Sequence, residues 1–134
     1  AHCVIESAGA EFLPGITVDG PVVHKGSGPE DGYSGFTMRD PSTGDTVPTE
    51  LDALLHGRGV TDVVIVGLAT DYCVKATALD ARRLGYRATV LLDAIAAVDL
   101  APGDGARALE ELIAAGVRLA AADEPGSGPL PDPA

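Results

Sequence analysis

At 134 residues the chain is sized for one domain, and 46% hydrophobic residues allow a buried core, which excludes disorder throughout. Nine Lys and Arg stand against 20 Asp and Glu, a formal net charge of −11, which argues against nucleic acid or an anionic membrane as partner. No apolar run reaches the ~20 residues of a membrane span, no secretory leader opens the chain, and Cys3 and Cys73 cannot form a disulfide framework, so a cytoplasmic setting is expected.

The chain opens on Ala1-His2-Cys3-Val4, without an initiator Met, in a segment that reads as a loop. Pro21-Val22-Val23-His24-Lys25 is β-branched and predicts a short strand. The Gly-, Pro- and Asp-rich stretch 26–45 reads as a long loop, of the kind that is usually functional or disordered. A helix is predicted over 48–56, with Leu51, Leu54 and Leu55 on one face and Gly57 and Gly59 as its stop. Asp62-Val63-Val64-Ile65-Val66-Gly67 is apolar almost throughout, as in a strand buried on both faces. A second helix is predicted over 71–84, with Val74, Thr77, Ala78 and Ala81 at helical spacing and Gly85 closing it. Thr89-Val90-Leu91-Leu92-Asp93 predicts another buried strand, and Asp104 is placed as the cap of a helix carrying Leu109, Leu112 and Ile113. Val117-Arg118-Leu119 is the last predicted strand, and the Pro-, Gly- and acid-rich tail 121–134 is expected to be disordered.

Strands alternating with helices imply parallel pairing through right-handed crossovers. The expected architecture is a three-layer α/β/α fold with a mainly parallel sheet, filled by residues 1–120 as one domain.

In open parallel sheets ligands bind beyond the carboxyl ends of the strands. Two such ends carry reactive residues: Lys25, and the run Ala69-Thr70-Asp71-Tyr72-Cys73. A cysteine in the first turn of a helix is favoured as thiolate by the dipole, and a neighbouring ammonium adds to that. Backbone N–H groups at the same helix start can hold a developing oxyanion. On placement alone, a small cysteine buried under the helix is an equally good reading.

Other thiol chemistries fail on spacing. A phosphatase loop needs arginine six residues after the cysteine, where Leu79 stands, and the two cysteines are 70 positions apart, which excludes a redox pair of the Cys-x-x-Cys kind. Neither the dinucleotide fingerprint nor the Walker lysine pattern occurs. Gly26, Gly28, Gly32 and Gly35 run into Arg39-Asp40-Pro41 instead of a helix start, so they read as loop glycines and not as a phosphate cradle.

Gly67-Leu68-Ala69-Thr70-Asp71-Tyr72-Cys73-Val74 resembles the nucleophile motif of the isochorismatase-like cysteine hydrolases, and among them the bacterial nicotinamidases. The resemblance extends to His2-Cys3-Val4 with Gly9-Ala10-Glu11-Phe12 (a metal-proximal segment), to His24-Lys25-Gly26 (a catalytic lysine segment) and to Tyr33-Ser34-Gly35-Phe36 (a pocket loop). It implies the isochorismatase-like hydrolase fold, with Cys73 as nucleophile, Lys25 as triad lysine and a cis peptide at Leu68–Ala69. The N–H groups of Ala69 and Cys73 become the oxyanion hole, and Tyr33, Ser34, Thr70 and Tyr72 the substrate pocket.

The same resemblance implies hydrolysis of nicotinamide through a cysteine thioester, with a divalent metal (zinc, or iron or manganese) at the ring nitrogen. His2 matches the last of four metal-site residues, while His24 and His56 match no ligand position. The family's first strand, its triad aspartate and its other metal residues precede the position matched by Ala1, and Asp31, Asp40 and Asp45 do not match that aspartate. Residues 1–134 alone are therefore expected to be truncated at the N-terminus by roughly one βαβ unit, inactive, marginally stable and weak in metal binding. Rival readings are a carbamoyl or ureido amidohydrolase of the same superfamily, against which the His2 position and Tyr33-Ser34-Gly35-Phe36 argue, an isochorismate-cleaving relative, whose chemistry uses no cysteine nucleophile, and a non-catalytic α/β module. The partner expected is a small molecule, with a homo-oligomer left open.

Overall fold

In a computed structural model of the chain, residues 3–122 are described. Two antiparallel strands come first, β1 (Thr37–Arg39) and β2 (Thr46–Pro48), followed by α1 (Leu51–Gly57) and β3 (Asp62–Leu68). A π-helical turn, Thr70–Val74, then leads into α2 (Lys75–Arg83), β4 (Arg87–Ala96), α3 (Asp104–Ala114) and β5 (Arg118–Ala120). The main sheet has the order β3-β4-β5 and both pairings are parallel, with Ile65 opposite Val90 and Val90 opposite Leu119. The α/β fold with a parallel sheet expected from the alternation is thus present. A register shift between Ile65 and Gly67 marks a bulge, where β4 spends extra residues opposite the end of β3.

The core lies on one face of this sheet. Val63, Ile65, Ala88 and Val90 meet Ala78 and Ala81 of α2, Leu112 of α3 and Leu51 and Leu55 of α1. Alanines at the α2 contact bring its backbone close to the strands, and both are fully buried. Phe36, contributed by the loop before β1, is buried in this core and stacks on Tyr86, with ring centroids 5.7 Å apart. Burying such a ring contributes ~1.5–3 kcal/mol.

Each helix ends by one device. Gly59, Gly85 and Gly116 take positive φ, and the next residue's N–H reaches back to the helix, Val60 to Leu55 O (3.0 Å), Tyr86 to Ala81 O (2.9 Å) and Val117 to Leu112 O (2.9 Å). A strand follows within a few residues every time.

Several expectations are corrected. Residues 21–25 make no strand: Val22 is exposed, and among the described residues no neighbour supplies the ladder that would make one. The stretch 26–45 is not loop throughout, because β1 lies within it and pairs with β2, which takes Pro48 from the predicted first helix. Strand β3 is not buried on both faces; its side chains alternate, and Val64, Val66 and Leu68 face outward at 61, 54 and 73% exposure. Asp104 does not cap α3 from outside, since Gly103 occupies the cap position and the carboxylate of Asp99 receives the Gly105 N–H at 2.7 Å. The tail expectation for 121–134 falls, beyond Ala122, outside the described residues.

Candidate active site

Strand β3 carries the chain to a cis peptide at Leu68–Ala69, as the resemblance implied. The carbonyl of Ala69 then receives the N–H groups of Tyr72 (3.1 Å) and Val74 (3.0 Å), and the second of these closes the π-helical turn. Cys73 therefore sits in a widened turn that feeds α2, two residues before its first residue, Lys75, so the helix predicted from residue 71 is α-helical only from Lys75. Asp71 fixes this turn from below: its two carboxylate oxygens accept the N–H groups of Val98 and Asp99, each at 2.9 Å. Those backbone hydrogen bonds, the Val98 one foremost, outweigh burial and hold the Asp71 carboxyl below the ordinary range. The Cys73 turn and the connection after β4 are thereby one unit.

Cys73 is a free, partly buried thiol. Lys25 Nζ lies 3.4 Å from its Sγ, across 48 residues of sequence, and donates a second hydrogen bond to the Gly32 carbonyl. The two residues singled out at separate strand ends are therefore in contact. At Gly32 the chain passes so close to itself that a Cβ would stand 2.5 Å from the Gly26 nitrogen. The excursion from Lys25 to Gly32 is closed at its neck.

Of the expected pocket residues, Tyr33 and Tyr72 pair their rings at 5.6 Å, with Tyr33 half-exposed. Thr70 is buried in the turn itself. Ser34 is buried too, and its hydroxyl donates to Asp80 Oδ2 (2.6 Å) while accepting the Phe36 N–H (3.0 Å), so it anchors the loop and does not present its hydroxyl to a ligand. Ala69 holds the strand-to-turn junction. His2 lies outside the described residues. A cleft of about 800 Å³ opens beside Lys25, lined by Cys3, Glu6, Glu11 and His24 among others.

Residues that the sequence did not single out as functional hold the loop on α2. The hydroxyl of Thr77 accepts the Gly35 N–H at 2.9 Å, and Asp80 Oδ2 takes the Thr37 hydroxyl at 2.7 Å as well as that of Ser34. Arg83 completes the set at 3.0 Å from Asp80 Oδ1. Burial pushes the Asp80 carboxyl up, but the Ser34, Thr37 and Arg83 hydrogen bonds together bring it below its ordinary value. The signal available in the sequence was their spacing, four and seven residues after Cys73, on the face of the helix that follows the thiol. The loop acids have other partners, Arg39 for Asp31 and the Ser42–Thr43 turn for Asp40. Among the described residues no three His, Cys, Asp or Glu side chains come together as a metal ion needs.

An Isochorismatase domain pattern matches residues 1–124. The chain is 40% identical over 121 residues to a nicotinamidase of Escherichia coli (strain K12), covering 88% of this chain and 55% of that protein. Among solved structures, the pyrazinamidase of Pyrococcus horikoshii in complex with zinc superposes with a TM-score of 0.75 at 38% identity, over 90% of this chain and 62% of that one. PnC1 from L. infantum in complex with nicotinate superposes with a TM-score of 0.78 at 37% identity, over 90% of this chain and 59% of that one. The chain spans about half the length of the curated relatives it matches. With the domain pattern running almost end to end and the strand-to-thiol junction in place, the chain belongs to the isochorismatase domain family.

Proposed function

We propose that the protein carrying this chain hydrolyses nicotinamide to nicotinate and ammonia, with Cys73 as its nucleophile. The observation that carries the proposal is the 3.4 Å contact between Lys25 Nζ and Cys73 Sγ at the carboxyl end of a parallel strand. Similarity to proteins named nicotinamidase, and to a structure holding nicotinate, supports the choice of substrate.

In this mechanism the Cys73 thiolate adds to the carboxamide carbon, and the N–H groups of Ala69 and Cys73 receive the oxyanion. Collapse breaks the C–N bond, and ammonia leaves with the proton first taken from the thiol. Water then cleaves the thioester, releasing nicotinate and restoring the S–H. The proton carrier is an aspartate in the family pattern that matches no residue of this chain; Lys25 balances the charge on it and on the thiolate. Tyr33 and Tyr72 flank the ring, and buried Thr70 backs the pocket. His2, with ligands outside the described residues, would hold a divalent ion, zinc by analogy with the pyrazinamidase complex, which would orient the substrate ring. The described residues do not form such a site by themselves, and no step above runs through it. On this reading the enzyme serves pyridine nucleotide salvage, and the cytoplasm is its proposed setting. Among the described residues no helix is long and apolar enough to cross a membrane.

The test is ammonia release from nicotinamide by the full-length protein. Cys73→Ala abolishes it while leaving the thermal transition in place, and near-normal turnover in that variant would overturn the nucleophile assignment. Lys25→Ala lowers kcat by about 10²-fold or more and slows iodoacetamide labelling of Cys73 at neutral pH, read by peptide mass so that Cys3 is counted separately. Turnover of a ureido substrate in preference to nicotinamide would keep the thiol chemistry and replace the substrate.

A further inference from the structure

Cys73 and Lys25 reach each other from two elements that share no strand ladder. The thiol rides on the turn that begins α2, while Lys25 lies in an exposed, unpaired segment. What fixes the ammonium is the Gly32 carbonyl, together with the close passage of Gly26 over Gly32 at the neck of the excursion. Gly32 is followed at once by the stretch that Thr77 and Asp80 bind to α2. Asp80 Oδ2 takes two hydroxyls, those of Ser34 and Thr37, and so grips both sides of the buried Phe36. The route from the lysine to the thiol-bearing helix therefore runs Lys25–Gly32–Ser34–Asp80.

We infer that Asp80 is a positioning residue: by latching Ser34 and Thr37 to the helix that carries Cys73, it sets the place of Lys25 and Tyr33 relative to the thiol. It touches neither substrate nor Sγ. Its side chain is mostly buried, and the carboxylate is committed to the loop and to Arg83. The inference rests on the amidase reading only for its effect on turnover; the latch itself is a matter of geometry. Two oxygen lone pairs on one atom do the gripping, so the amide oxygen of Asn in the same place accepts the same two hydroxyls. Leu has a similar outline and accepts neither.

The experiment compares the full-length protein with Asp80→Leu and Asp80→Asn. Hydrogen exchange at the Gly35 and Phe36 amides, which donate to Thr77 and Ser34, reads the latch directly. In Asp80→Leu these amides exchange about tenfold faster or more, while the Val90 amide in β4 stays protected. Iodoacetamide labelling of Cys73 changes by about threefold or more, and kcat for nicotinamide falls by about tenfold with a smaller change in KM. In Asp80→Asn all three return to within about threefold of the parent. Unchanged exchange and labelling in Asp80→Leu would overturn the inference, as would equal loosening of Val90 and Phe36. Should Asp80→Leu fail to fold, the double variant Ser34→Ala, Thr37→Val removes the donors instead; because it also takes away the acceptor of the Phe36 N–H, the latch is then read at the Gly35 amide, in place of Phe36, and by Cys73 labelling, with the same expected and overturning results. A parent that labels and exchanges as described but leaves nicotinamide intact would sink the amidase reading and keep the latch.

Discussion

Replacing Phe36 by alanine tests whether the loop before β1 belongs to the core or merely lies on it. The ring is 2% exposed, stacks on Tyr86 and belongs to the buried core cluster. Removing it forfeits ~2 kcal/mol of transfer free energy. It also leaves a void of roughly 100 Å³, which at ~24 cal/mol per Å³ costs about 2.4 kcal/mol more when the walls do not collapse. The sum, about 4 kcal/mol, is a large share of the ~5–15 kcal/mol that holds a domain together. The assay is urea unfolding followed by far-UV circular dichroism, with the slope checked so that the midpoint alone carries the change. Ile113→Ala is the control, because that side chain is 60% exposed on α3 and its loss costs under about 1 kcal/mol. The reasoning is refuted if Phe36→Ala loses less than about 1 kcal/mol, or no more than Ile113→Ala does.

Two further outcomes follow from the packing and the charges. Gly105→Ala destabilises by ~1–3 kcal/mol even though alanine is the better helix former, because the new Cβ would stand 2.6 Å from the Ala97 Cβ; a rise in melting temperature would disprove that contact. Burial, reinforced by the Asp52 carboxylate that accepts its hydroxyl, pushes the Tyr86 phenol from 10.0 up to about 12. A folded value above the unfolded one means that its contribution is whole below pH 10 and is lost as pH climbs from 10 toward 12. Unfolding free energy should fall across that window, and Tyr86→Phe should flatten the fall; an identical slope in both proteins would refute the assignment.

The strands and helices that were legible in the sequence are those with a periodic or unbroken apolar signal. The Asp62–Gly67 run, the alanines of α2 and the Leu109–Leu112–Ile113 pattern of α3 all name their elements. The antiparallel pair β1–β2 was not legible because it has no such signal: Val47 is exposed, and what joins the strands is backbone pairing around an Asp-Pro-Ser-Thr-Gly turn. The segment 21–25 shows the converse, a genuine β-branched signal with nothing beside it to complete a ladder. At the site, Cys73 could be named because strand ends are where open sheets place chemistry, and both Cys73 and Lys25 because their motifs resemble a family; the strand end assigned to Lys25 is not there. The Asp80 latch could not be found this way, since hydrogen bonds between residues 43 and 46 positions apart leave no periodic trace. Asp99 took the capping role assigned to Asp104 for the same reason: the connection folds back on the helix, and nearness in space decided it.

The glycine-terminated helices have a consequence for how this domain can vary. Gly59, Gly85 and Gly116 all lie at the rim where helices hand over to strands, and each handover is short and closed by its own hydrogen bond. That rim has no slack: an inserted residue there would rotate the following strand and turn its inward side chains outward. The opposite rim is built from the longer segments 26–36 and 97–103 and from the turn at Cys73, which are held by side chains such as Asp71 and Asp80 instead of by helix ends. Lengthening or resequencing those segments, with their anchors kept, leaves the register of β3, β4 and β5 alone. The fold thus separates a fixed end that keeps strand order from an adjustable end that carries Cys73 and Lys25, so the surroundings of the thiol can diverge without refolding the sheet.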